Sequence, residues 1–72
     1  LSEFKIYPSA ARVNAQLTQS ELAEKMGVSK QTVINWEKGK SQIGIPELDM
    51  LSRLSGIPTD YIFLPYKSTK SR

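Results

Sequence analysis

A stop and restart near the middle of the chain limits the fold more than any other feature. Gly27 stands where a left-handed residue ends a helix, one residue follows, and Ser29 already reads as the cap of the next helix. Two short helices joined by so tight a turn cannot lie parallel, so they must cross at a steep angle. The helix before the turn is announced by Thr18-Gln19-Ser20-Glu21. There the Thr18 hydroxyl can accept from the N–H of residue 21 while the Glu21 carboxylate reaches back to the N–H of residue 18. Leu22, Ala23 and Met26 then fall on one face, which predicts a helix over about 19–26. Lys30 to Lys38 reads as the helix after the turn, and Gly39 stops it.

The flanking sequence extends this pattern. Phe4 and Ile6 alternate with Lys5 and Tyr7, which permits a short extended segment. Pro8 suits a first helical turn, where its missing N–H would be unpaired anyway, and good helix formers follow. This predicts a first helix over about 8–15. Lys40 to Ile45 reads as a loop. Pro46 opens a fourth helix, with Glu47 and Asp49 near the positive end of its dipole and Leu48, Leu51, Leu54 and Ser55 on one face. Gly56 stops it. Pro58-Thr59-Asp60 then introduces a short fifth helix over Tyr61–Leu64, ended by Pro65. The organisation expected is an N-terminal extension over 1–7, one helical domain over 8–64 and a polar, basic tail over 65–72.

Composition excludes several functions. With 72 residues the chain holds a single domain. It has no Cys and no His, so disulfides, thiolate metal sites and the commonest general base are all missing. Glu21 and Glu24 are better explained by a cap and by solvent than as catalytic carboxylates. No Gly-rich phosphate loop is present. An enzyme is therefore not expected, nor a cofactor or a metal. The longest apolar run, Tyr61-Ile62-Phe63-Leu64, is far too short for a bilayer, and no signal peptide is visible at the start. The cysteine-free composition fits a reducing, cytoplasmic setting. The net charge of +3 suits a polyanionic partner, and equally an ordinary solvated surface.

The third helix is the informative one. Laid out at about 100° per residue with Val33 at zero, Trp36, Glu37 and Ser29 fall within about 60° of it. Gln31, Ile34, Asn35 and Lys38 fall opposite, with Lys30 at the edge of that group. Val33 and Trp36 read as packing against the second helix. The outer face carries amides, ammonium groups and an Ile, and no carboxylate. Gln and Asn can match the major-groove edge of adenine, Lys can donate to guanine or phosphate, and Ile34 suits a thymine methyl. A solvated face that happens to lack acids would look the same.

The whole run from Leu17-Thr18-Gln19-Ser20-Glu21-Leu22-Ala23 through Gly27-Val28-Ser29 to Trp36-Glu37-Lys38-Gly39-Lys40 resembles the lambda-repressor-like (Xre/Cro/CI) helix-turn-helix domains. Ala11-Arg12-Val13-Asn14-Ala15 upstream and Pro46-Glu47-Leu48 to Gly56-Ile57 downstream match as well, so the resemblance covers about 8–64. It implies an all-α, compact five-helix bundle, with the helix-turn-helix at helices 2 and 3 and the third helix entering the major groove. Carried over by position, Lys30, Gln31, Ile34 and Asn35 would contact bases. Gln19, Ser29, Lys38, Lys40 and Ser41 would contact phosphates. Arg12 and Glu37 would form a structural ion pair tying the first helix to the third, a phosphate contact being the other role open to Arg12. The partner implied is double-stranded DNA, bound by a homodimer on a two-fold operator, and the function is that of a transcriptional regulator, a repressor of phage or bacterial type.

Three residues depart from the family pattern. Gln16 stands where Gly often ends the first helix, so that stop must work without an easy left-handed residue. Ser55 replaces a bulky apolar residue, which thins the face of the fourth helix. Ile34 gives up a polar base contact. Dimer contacts in the family lie around the fifth helix and tail, which makes Tyr61, Phe63, Leu64 and Tyr66 candidates, while Ile62 is expected to close the core. The competing function on the same fold is a protein-interaction module such as an antitoxin or adaptor. Such a module would not need an acid-free outer face.

Overall fold

The computed structural model describes residues 6–62. Four α-helices follow one another: α1 (Pro8–Asn14), α2 (Gln19–Met26), α3 (Lys30–Lys38) and α4 (Ile45–Ser55), then a single 3-10 turn at Thr59–Tyr61. α2 packs mainly on α3, and α1 on α4. The shared core consists of Ala11, Leu22, Ala23, Val33, Trp36, Ile43, Leu51 and Ile62. Ile6, Leu17, Met26, Val28, Leu48, Leu54 and Ile57 pack around it.

Local chemistry sets each boundary. At the start of α2 the Thr18 hydroxyl accepts the Glu21 N–H at 3.1 Å, and the Glu21 carboxylate accepts the Thr18 N–H at 2.8 Å. Two donors that a helix start leaves orphaned are thus satisfied reciprocally. Ser29 starts α3 by accepting the Thr32 N–H at 3.1 Å. Gly27 (φ 71°) and Gly39 (φ 76°) end α2 and α3 in the left-handed region. The chain then doubles back, so that Val28 N–H reaches Ala23 O at 3.0 Å and Lys40 N–H reaches Asn35 O at 2.9 Å.

α1 ends with the same geometry but without a glycine. Gln16 itself takes the left-handed conformation (φ 62°). Gln16 N–H donates to Val13 O at 2.8 Å and Leu17 N–H to Arg12 O at 3.2 Å. Those two bonds form a Schellman stop. The stop, which lacks an easy left-handed residue, uses Gln16 in that conformation at the cost of strain. Turning back at this point is what sends Leu17 against the core and places Thr18 at the head of α2.

Ser55 does not leave the face of α4 empty. It is buried, and its hydroxyl accepts the Ile57 N–H at 3.2 Å. The Ser52 hydroxyl donates to Ile57 O at 2.7 Å, and the Asn14 side chain donates to Ser55 O at 2.9 Å. The hydroxyl at this place helps to close the end of α4, and the main-chain carbonyl of the same residue ties it to α1 through Asn14.

The five-helix expectation is corrected at the C-terminal end. Among the described residues there are four α-helices and a 3-10 turn, and the helix expected over Tyr61–Leu64 is not formed at its start. Ile62 is already extended (φ −87°, ψ 114°). It is buried in the core and forms a parallel bridge with Ile6, whose N–H donates to Tyr61 O at 2.9 Å. An α-helix through Tyr61 would need that carbonyl to accept from residue 65, which is Pro65 and has no N–H. The bond from Ile6 satisfies the carbonyl instead. Phe63 and Leu64 lie outside the described residues.

Candidate nucleic-acid interface

The crossing of α2 and α3 decides which side of α3 faces out. Val33 and Trp36 are buried in the shared core. Lys30, Gln31 and Lys38 are exposed, and Ile34 and Asn35 are half-buried on the solvent side. These five residues share one surface on a rigid helix. The amides of Gln31 and Asn35, one turn apart, are bonded to each other, with Gln31 Nε2 donating to Asn35 Oδ1 at 3.1 Å.

The one acid of α3, Glu37, is turned away from this surface. Arg12 Nε donates to Glu37 Oε2 at 2.7 Å, and a second guanidinium nitrogen reaches Oε1 at 3.4 Å. Gln19 Nε2 donates to the same Oε1 at 3.0 Å. Arg12 also donates to Leu17 O at 2.9 Å. The side chains of Arg12 and Glu37 are only 15% and 9% exposed, so the pair is largely removed from water. It links α1, the turn after α1, α2 and α3 in one network, and it leaves the outer surface of α3 without a carboxylate.

The remaining candidates frame that surface. Gln19 is the first residue of α2, and its side chain is held at the Glu37 network. Ser29 caps α3, and its hydroxyl is 2.9 Å from that of Thr32. Lys38 and Lys40 are exposed around the end of α3, and Ser41, half-buried, follows with its N–H directed at Asn35 O (3.4 Å). Helix N-termini, hydroxyls and ammonium groups at the edges, with amides at the centre, suit a polyanion with a readable face. Tyr61, in the 3-10 turn that follows α4, is 47% exposed. Phe63, Leu64 and Tyr66, the other residues considered for a dimer contact, lie outside the described residues, as does the basic tail. No group of acidic side chains among the described residues could hold a metal ion, and no helix among them is long and apolar enough to cross a membrane.

The sequence reading did not anticipate the Gln31–Asn35 bond, the Gln19–Glu37 bond or the Ser29–Thr32 pair. The first and third were accessible from spacing, since residues three or four apart on a helix are neighbours. The second joins two helices, and no local pattern encodes it.

A helix-turn-helix family model matches residues 9–62, three quarters of the chain and all of the four helices but Pro8. The chain belongs to the lambda-repressor-like helix-turn-helix family. An uncharacterized HTH-type transcriptional regulator of Methanocaldococcus jannaschii is 40% identical over 48 residues, spanning 67% of this chain and 73% of that protein. No solved structure matches the chain. In this helix-turn-helix protein, α2 and α3 are the two helices joined by the tight turn at Gly27–Ser29.

Proposed function

We propose that the protein binds double-stranded DNA in a sequence-dependent way and regulates transcription as a repressor of phage or bacterial type. Family membership argues for a DNA-binding regulator and against an enzyme, and the similar archaeal protein is described as a transcriptional regulator. The observation that carries the reading is the outer surface of α3. It bears Lys30, Gln31, Ile34, Asn35 and Lys38, while the only acid of the helix, Glu37, is held away from it by Arg12 and Gln19.

In this reading Lys30, Gln31, Ile34 and Asn35 meet base edges in the major groove, and Gln19, Ser29, Lys38, Lys40 and Ser41 meet phosphates. The Arg12–Glu37 pair fixes the angle at which α3 is presented. A homodimer reads a two-fold operator, one half-site for each copy. Repression requires only that the operator be occupied, which a domain of this size can do without an effector module.

Selection from random duplex DNA tests the proposal. The expected product is a two-fold-symmetric sequence whose half-sites are centred about 34–36 Å, or roughly 10 base pairs, apart. Enrichment of no sequence over the starting pool would overturn it and favour an adaptor on the same fold.

A further inference from the structure

We infer that the contact between Ile6 and Tyr61 is a latch, which holds the end of the domain extended and gives way to a helix when it opens. The inference stands on the fold alone and does not depend on the DNA-binding reading.

Local sequence and tertiary structure disagree at this place. Pro58-Thr59-Asp60 carries the start signals of a helix, a fixed φ at Pro58 and an acid in the first turn. The turn over Thr59–Tyr61 is already close to one. Tyr61 N–H donates to Pro58 O at 3.0 Å, and Ile62 N–H donates to Thr59 O at 3.1 Å. Modest changes of φ and ψ convert such a 3-10 turn into an α-turn. Yet the chain leaves the turn at once. Ile62 is extended, forms a parallel bridge with Ile6, and is buried in the core.

Two features hold it there. The Tyr61 carbonyl accepts the Ile6 N–H at 2.9 Å. The helical alternative would offer that carbonyl the N–H of residue 65, and Pro65 has none. Proline also disfavours the helical conformation in the residue before it, Leu64. The two arrangements exclude each other at Ile62. The bridge holds its ψ at 114°, whereas an α-helix requires about −42°. The segment at Ile6 and the end of the domain are therefore two parts of one two-state element. Ile6 is only half-buried where it packs against the core, so it is the part that can be withdrawn. Its withdrawal redirects the chain at Ile62, and no residue of α3 takes part in the bridge.

Amide hydrogen exchange and backbone chemical shifts of the full chain test the latch, with the buried Val33 and Leu51 as a gauge of the intact core. In the unaltered chain the Ile6 N–H is expected to exchange at least about fivefold more slowly than an unbonded amide, the net worth of one hydrogen bond. Ile62 is expected to show extended shifts. Ile6→Pro removes the donor, and Tyr61 and Ile62 are expected to move towards helical shifts with Val33 and Leu51 still protected. Pro65→Ala supplies the N–H that the helix lacks, so it is expected to abolish the protection of Ile6 without any change to Ile6 itself. Packing of Ile6 without a competing helix would not give that result. Ile62 keeping its extended shifts in Ile6→Pro, or Ile6 keeping its protection in Pro65→Ala, would overturn the inference. If Ile6→Pro does not fold, the exchange of Ile6 in Pro65→Ala decides alone.

Discussion

Glu37→Ala is the substitution with the largest expected effect on the fold. The carboxylate accepts from Arg12 at 2.7 and 3.4 Å and from Gln19 at 3.0 Å, and it is 9% exposed. Truncating it leaves the Arg12 guanidinium largely buried, with Leu17 O as its remaining partner. Removing one partner of a buried ion pair costs about 3–5 kcal/mol, because the other charge stays uncompensated. Arg12 keeps the Leu17 bond and is 15% exposed, so the lower end of that range, about 3 kcal/mol, applies here. A domain of this size has roughly 4–11 kcal/mol of stability in total, so the variant should be close to unfolding. Urea denaturation followed by the fluorescence of Trp36, which is buried and adjoins Glu37 in α3, measures the loss directly. Arg12→Met combined with Glu37→Leu removes both charges and should recover most of the loss, since an apolar replacement of a buried pair is often neutral or better. A loss below about 1 kcal/mol for Glu37→Ala would mean that the pair behaves as a surface bridge and does not hold α3 against α1.

Other substitutions separate local contributions. Gln16→Gly should stabilise the domain by about 0.5–1 kcal/mol, because relief of a left-handed non-glycine residue exceeds the extra freedom glycine brings to the unfolded chain; a lower melting temperature would contradict this. Thr18→Ala removes the hydroxyl from the capping box and should cost about 1 kcal/mol by chemical denaturation, with Thr18→Ser retaining most of it. Arg53→Ala breaks a pair with Asp49 at 3.0 Å whose side chains are 79% and 54% exposed, and thermal melts should show almost no change.

Most of the fold was legible in the sequence because its boundaries are set by local chemistry. The Thr18–Glu21 box, the Ser29 cap and the stops at Gly27 and Gly39 act within a few residues of themselves, and α2 and α3 have the bounds they imply. The places that local pattern left open depend on contacts distant in sequence. Ile43 sits in a loop without periodicity, yet it is 5% exposed and part of the core. Ile6 lay in a segment whose alternation permitted an extended run but named no partner, and its bond to Tyr61 O helps to hold Ile62 extended where a helix was expected. Gln16 shows a rule giving way to tertiary demand. The turn between α1 and α2 must go left-handed to bury Leu17, and the residue present adopts that conformation despite its side chain. At the interface, spacing identified which residues share the outer surface of α3. It did not show that Gln31 and Asn35 are joined, nor that Gln19 helps to sequester Glu37.

The central claim is that α3 and its edges form a DNA-binding surface in which the lysines at and just after the end of the helix meet phosphates and the amides meet bases. Affinity for duplex DNA measured across a salt series, for the unaltered chain, Lys40→Ala and Gln31→Ala, tests it most directly. The account predicts a steep fall in affinity with salt. Lys40→Ala should lower the slope by about 1 and weaken all sequences alike. Gln31→Ala should leave the slope unchanged and lose preference at one base pair. Affinity that does not depend on salt, or a Lys40→Ala variant with altered base preference, would contradict it.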